Sequence, residues 1–426
     1  MKRFLLTTSI ILIVQTLVLA QEQEIIKIND EASFRKIAKA TLFEGNSFHN
    51  VKLMLTQDIV LQGDSILPIG MYPTGYEKSF PFQGEFDGGG HTITINAPFS
   101  IYESSWIDDY GHKNYEFFSG LFGIVGVAGS VKNLNVEIED IKTAISMGQI
   151  GAFGVIYGTN AVLILNCNVS GSYSIVSTTH NFFEFGSIAG YLTSDGMVCN
   201  SSNSAKLTAN KISVVGGIVG KSQSGIISKS YNAGDIIIEE CTSFGGDGRC
   251  VGGIVGENTG TGSDLSPYVV NCINYGRIKG NSNIISAGGI AGVCKGDGII
   301  FYCGNVGDIL CDAEYCGGIV GRLISSSVLG SYQAGCLYYY DGEKDKNKAV
   351  GIRWWGDEPI EESYIIGNCN RKISPDLFVR KANAYYQKAE AKLSKYLQVD
   401  KKSYSNSFHA EPWKTSLEQP FPYIAY

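Results

Sequence analysis

From Val51 onward the apolar residues fall in short alternating runs, each broken by Gly or Asn. Residues 51–62 (VKLMLTQDIVLQ) alternate as a first pair of strands. Later runs share one form: apolar, small residue, Asn or Gln, Gly, apolar. They read ISKSYNAGDI at 227–236, VNCINYGRI at 270–278, FYCGNVGDI at 301–309 and LGSYQAGCL at 329–337. None keeps a 3.6-residue period, so the pattern predicts strand, turn, strand, with about three short strands in each repeat. A helical period shows only near the two ends. Phe34, Ile37 and Ala38 share one face behind Asn29 or Asp30 as N-cap. Phe378, Ala382, Tyr386, Ala389, Leu393 and Leu397 form a stripe behind a Ser374-Pro375 start. Each would cap one end of a β structure, covering strand edges that would otherwise aggregate.

Between the alternating runs lies a recurrent block. It reads VGGIVG at Val215–Gly220 and at Val251–Gly256, AGGIAG at Ala287–Gly292, and CGGIVG at Cys316–Gly321. Looser copies are GLFG at 120–123, GAFG at 151–154 and SIAG at 187–190. The unit begins at 120, 151, 187, 217, 253, 289 and 318, so successive spacings are 31, 36, 30, 36, 36 and 29 residues. Segments of that length bury their apolar side only by stacking on one another, which predicts an all-β solenoid with the interior glycines Gly217, Gly220, Gly253, Gly256, Gly289, Gly292, Gly318 and Gly321 in register.

Superposing the repeats puts Ser230, Cys272, Cys303 and Ser331 in one inward column and Asn232, Asn274, Asn305 and Gln333 in another. Equivalent residues of stacked coils lie about 4.8 Å apart, so the amides can bond one above the next as a structural ladder. Asp235, Arg277 and Asp308 form a third column that alternates in charge. It would face solvent and contribute about 0–1 kcal/mol per pair.

Composition adds limits. The 52 glycines are spread through the repeats, the mark of turn-rich β structure. Lys2 and Arg3 precede an apolar run from Phe4 to Ala20, which reads as a secretory signal peptide of residues 1–20; a membrane anchor is the rival reading. Without those two basic residues the formal charge of −7 becomes −9, so no basic stripe invites nucleic acid. No later segment is apolar enough for a stable membrane span. The eleven cysteines are an odd number, with no CxxC pair and no Cys/His set at metal-ligand spacing, so neither metal nor cofactor is expected. Cys241 and Cys250 are the best local candidates for a disulfide. Cys272 and Cys303 read as core packing.

The G-apolar-apolar-G repeats resemble those of the GLUG-motif proteins, exported bacterial proteins common in gut Bacteroidetes. The most specific match is Phe82-Gln83-Gly84-Glu85-Phe86-Asp87-Gly88-Gly89-Gly90-His91-Thr92-Ile93, which is similar to the family's F-x-G-x-F-D-G-x-G-H-x-I motif. Phe378-Val379, Asn383 and Trp413 resemble its C-terminal pattern, with Ala382 where Leu is usual. The resemblance covers roughly residues 27–426. It implies a right-handed parallel β-helix and an export route, with suspected adhesive roles, but no reaction.

The same scaffold carries polysaccharide lyases and hydrolases, so an enzyme is the alternative. Such sites need clustered carboxylates or a poised base. Here no two carboxylates recur on neighbouring coils. Asp87 reads as a turn residue accepting backbone N–H groups, and His91 as a hydrogen-bonded strand residue. Trp106, Asp108, Asp109 and Tyr110 lie in an insertion that could contact a sugar or partner, or fold back on the coils. Trp354 and Trp355 point to opposite faces, so one could be free to stack. Glu361 and Glu362 fall short of a Ca²⁺ site. The expected organisation is a signal peptide (1–20), an N-terminal cap and first solenoid segment (21–115), the repeat solenoid (116–370) and a C-terminal capping helix and tail (371–426). The expected role is an exported, periplasmic, secreted or surface-held module that binds glycan or a surface protein without catalysis.

Overall fold

The computed structural model describes residues 23–365 and Arg380, except for 71–79, 101, 108–112, 127, 146–147, 152–154, 157–162, 178–182, 194–195, 241–248, 261–266, 281–283, 339–349, 355–359 and 362–363. The signal segment, the C-terminal helix and tail, and Cys241 therefore lie outside the described residues.

Each repeat makes one coil of a parallel β-solenoid. The coil that starts with the second VGG block's predecessor is representative: Val214–Gly216, Val219–Gln223, Ile226–Ser228, Tyr231–Asn232 and Ile236–Glu240. Five short strands appear where three were expected, because the Gly-Gly-Ile and Asn-Ala-Gly bends cut the coil into more pieces. The described strands build four sheets of 11, 15, 8 and 8 strands. Nearly every pairing is parallel and in register, for example Val214↔Cys250↔Ser286↔Tyr315. The hairpin Tyr102–Ile107 with Lys113–Ser119 is antiparallel. Ile218, Ile254, Ile290 and Ile319 form one wholly buried axial row, each N–H donating to the carbonyl of the next at 2.9–3.1 Å.

The interior changes along the axis. Near the N-terminal end it is aromatic: Phe122 packs edge-on against Phe86, and Tyr173 sits between Phe99 and Phe185 at centroid distances of 5.6 and 5.5 Å. Further along, Ile, Val, Ala and Cys replace the rings. The N-terminal edge is covered as expected, by helix Glu31–Glu44. Asp30 accepts from the Ser33 N–H while Ser33 Oγ accepts from the Asp30 N–H, a reciprocal cap, and Gly45 closes the far end at φ 68°. Phe34, Ile37, Ala38 and Thr41 face inward. Arg35 reaches the carbonyls of Gln62, Asp64 and Ser65, which ties the helix to the segment it covers.

Three side-chain columns run along the axis. Asn203, Asn232, Asn274 and Asn305 form the amide ladder: each Nδ2 donates to the next Oδ1 at 2.7–2.8 Å. Each also donates to the carbonyl two residues on, so both amide hydrogens of Asn203, Asn232 and Asn274 are used. Gln333 keeps only the second bond, to Gly335, and its Oε1 is buried without a partner. In the small-residue column, Ser230 Oγ accepts from the Ser201 N–H and Ser331 Oγ from the Cys303 N–H, while the thiols of Cys272 and Cys303 point at backbone carbonyls. The third column was not foreseen. Asn133, Asn166, Asn200, Lys229, Asn271 and Tyr302 all adopt positive φ between 47° and 54° at one corner, where Asn is the best tolerated non-glycine residue. There Asn200 donates to Asn166 and Asn166 to Asn133, which ends on Asp87.

Candidate interaction surface

The two glycine columns explain why the blocks repeat. A Cβ on Gly217, Gly253, Gly289 or Gly318 would fall 2.6, 2.3, 2.1 or 1.8 Å from the side-chain amide carbon of Asn232, Asn274, Asn305 or Gln333. The glycine and the ladder amide of one coil share one space. Gly220, Gly256, Gly292 and Gly321 serve another contact: a Cβ there would come within 2.6–2.8 Å of backbone or Val214 atoms in the preceding coil. These glycines let neighbouring coils approach closely.

The expected contact residues are only partly placed. Trp106 lies in the antiparallel hairpin opposite Asn114, and Trp354 ends a strand opposite Ile324. Asp108, Asp109, Tyr110 and Trp355 lie outside the described residues. Cys250 is a buried thiol, stacked between Val214 and Ser286 in its sheet and packed with Val214 and Val293. Cys241, with which a disulfide was expected, lies outside the described residues. Cys336 is the described cysteine that is disulfide-bonded.

The charged clusters are ion-paired. Lys52 contacts Glu85 at 3.0 Å and Asp87 at 2.6 Å, and Lys132 contacts Glu85 at 2.8 Å. Asp87 also accepts from the Gly89 N–H, the turn role read from FDGGGH. On another sheet Glu257 is buried between Lys221 and Lys295 on the flanking coils, at 3.4 and 3.1 Å, and accepts from Thr259. Burial alone would raise the pKa of Glu85, Asp87 and Glu257, but the lysines and hydrogen bonds outweigh it and hold each below the ordinary value. These carboxylates stay ionised at neutral pH, whereas a general acid needs a raised pKa. The thiols are equally quiet: burial pushes Cys167 and Cys199 up to about 12 and Cys294 to about 11.

One outward face has a different character. Tyr231 and Tyr275, on adjacent coils, are 41% and 44% exposed, with ring centroids 6.3 Å apart at an interplanar angle of 77°. Two residues beyond Tyr275, Arg277 donates to Asp235 at 3.0 Å from both its backbone N–H and Nη2. Asp308, one coil further, accepts from the Cys336 N–H, so the acidic members of this column also link coil to coil. Tyr332 is wholly buried, and its ring fills the space above Gly304, where a Cβ would lie 2.4 Å from the ring. Sequence reading placed the charge column but missed the tyrosines, which sit at variable positions beside the ladder amides and so leave no repeat signature.

No protein-family model and no curated protein matches the chain, so the resemblance to GLUG-motif proteins has no matching family model behind it. Among solved structures, a candidate immunoglobulin A1 protease from Bacteroides ovatus is similar, with a TM-score of 0.45 and 15% identity over 95% of this chain and 93% of that one. A likeness of that size identifies neither a family nor an activity.

Proposed function

We propose that the chain is a non-enzymatic binding module, exported to the periplasm, cell surface or medium, whose coil stack presents an extended face to glycan or protein. The observation that carries this reading is the exposed Tyr231–Tyr275 pair beside the Arg277–Asp235 ion pair. Large amphipathic rings left in water next to fixed hydrogen-bonding groups are what a recognition surface needs. The scaffold behind them is rigid, since backbone bonds tie coil to coil and the amide ladder from Asn203 to Asn305 reinforces them, so little ordering cost accompanies contact. The ionised, lysine-paired state of Glu85, Asp87 and Glu257 supports binding over hydrolysis.

The test is a glycan and protein array probed with the exported chain, combined with incubation of the chain with polysaccharides. Retention on the array without release of oligosaccharide is the expected result. Released oligosaccharide would favour a polysaccharide-degrading enzyme and overturn the proposal.

A further inference from the structure

We propose that the outward face around Tyr231 and Tyr275 binds a second copy of this chain, docked face to face with its coil axis reversed about a two-fold axis that runs along the strands between Asp235 and Arg277. This rests on the reading of that face as a recognition surface and names its partner.

The charged column supplies the first argument. Strand register puts Lys206, Asp235, Arg277 and Asp308 one above another on successive coils, with Ser172 before them and Cys336 after. The signs run plus, minus, plus, minus. Laid against itself in reverse order, such a column sets Lys206 over Asp308 and Asp235 over Arg277, so every charge faces its opposite. The other face-to-face two-fold arrangement, with both coil axes pointing the same way, would set each charge over its own copy. Self-complementarity thus selects one partner and one direction.

The ends of the column are open to such a partner. Arg277 is paired with Asp235 within the chain at 3.0 Å, whereas Lys206 and Asp308 make no ion pair among the described residues. In the antiparallel dimer these two meet across the interface. The two Arg277–Asp235 pairs close around the axis into a ring of four alternating charges.

Shape follows the same symmetry. Beside the charged column stand Ser204, Ala233, Tyr275 and Val306 on the same four coils. Reversal sets the exposed Tyr275 over the exposed Ala233, and Val306 over Ser204, a larger side chain opposite a smaller one each time. On the other flank Thr208, Ile237, Lys279 and Leu310 are in register, so Lys279 comes over Ile237 and can lay its aliphatic stem along it. No like charges meet in these three columns. The edge-on contact with Tyr231 orders the Tyr275 ring before docking, which lowers the cost of association. Three columns on six coils, at about 6.6 Å by 4.8 Å per residue, give roughly 1,100 Å² over both copies. That is the lower end of specific interfaces, so the dimer should form reversibly at micromolar concentration.

The experiment is sedimentation equilibrium of the exported chain from about 1 to about 200 µM at low ionic strength. Wild type should pass from monomer to dimer across that range. Asp235→Arg and Arg277→Asp should each weaken the dimer at least about tenfold, because each sets like charges face to face. Mixed in equal amounts, the two variants should associate again as a heterodimer, since the column of one is complementary to the reversed column of the other. The double variant Asp235→Arg/Arg277→Asp should dimerise like wild type. Melting curves check folding, and Tyr275→Thr, which should weaken the dimer without altering charge, serves if a charge variant is unstable. A dimer indifferent to these single variants, or a loss that the mixture does not recover, overturns the antiparallel pairing and leaves the recognition-surface reading standing. A chain that stays monomeric yet is captured on the glycan and protein array overturns the pairing in favour of a different ligand. A monomer with no capture overturns both.

Discussion

Gly253 lacks a side chain where the Asn274 amide of the same coil stands: a Cβ would lie 2.3 Å from Asn274 Cγ and 2.2 Å from the Gly289 carbonyl oxygen of the next coil. One contact is flexible, but the other is backbone fixed by the stack. Gly253→Ala should therefore cost about 3 kcal/mol or more, the upper range for overpacking, read as a lowered urea midpoint at unchanged slope. A midpoint within error of wild type would mean the coils can part locally at no cost.

The amide ladder predicts a gradient of sensitivity. Asn274 accepts from Asn232 and donates to Asn305 and to Gly276, so Asn274→Ala strips three bonds from a dry interior and should cost about 2–4 kcal/mol. Gln333 keeps one side-chain bond and an unsatisfied Oε1, so Gln333→Met should cost less than half as much. Equal losses in equilibrium unfolding would refute a cooperative ladder.

Acid should loosen the fold through Glu257 before it touches the apolar core. The pKa of Glu257, like those of Glu85 and Asp87, is depressed in the folded state. The stability it contributes is fully present above the unfolded-state value near 4.5 and is lost as pH falls through the lower folded value. Glu257→Gln should thus melt well below wild type at pH 7, with the gap narrowing by pH 3. A gap that stays constant across that range would show that the carboxylate's charge is not what matters.

Thiol chemistry offers a separate check. Cys167, Cys199, Cys272 and Cys294 are buried with raised pKa, so too little thiolate exists at pH 8 to react, and none is reached by solvent. Iodoacetamide should leave all four unmodified in the native chain and alkylate all four in guanidinium, as mass spectrometry of tryptic peptides would report. Native-state labelling of Cys272 would place it outside the axial column.

The solenoid was legible because its cause is periodic. Glycines every 29–36 residues, each followed 15–21 residues later by an amide in an apolar-small-amide-Gly run, announce both the stack and the ladder before any coordinates. The N-terminal cap was legible for the same kind of reason, a local signal from Asp30 through Ala38. Positive φ at Lys229 and Tyr302 was hidden because those residue types carry no local signature, and the corner forces the conformation on whatever residue occupies it. Proximity in sequence likewise says nothing about which sheet face a thiol joins, and Cys250 packs with Val214 and Val293. Tyr231 and Tyr275 escaped notice because neither position keeps one residue type from repeat to repeat, whereas sequence comparison between repeats finds what recurs.

The claim beneath all of these is axial stacking in register. Spin labels on outward-facing members of one column test it directly. With one label at Ser172 and the second at Asp235, Arg277 or Asp308 in turn, pulsed dipolar spectroscopy should give narrow distances that grow by about 5 Å per coil. Distances that are broad, or that fail to rise in that order, would contradict the stacked-coil account.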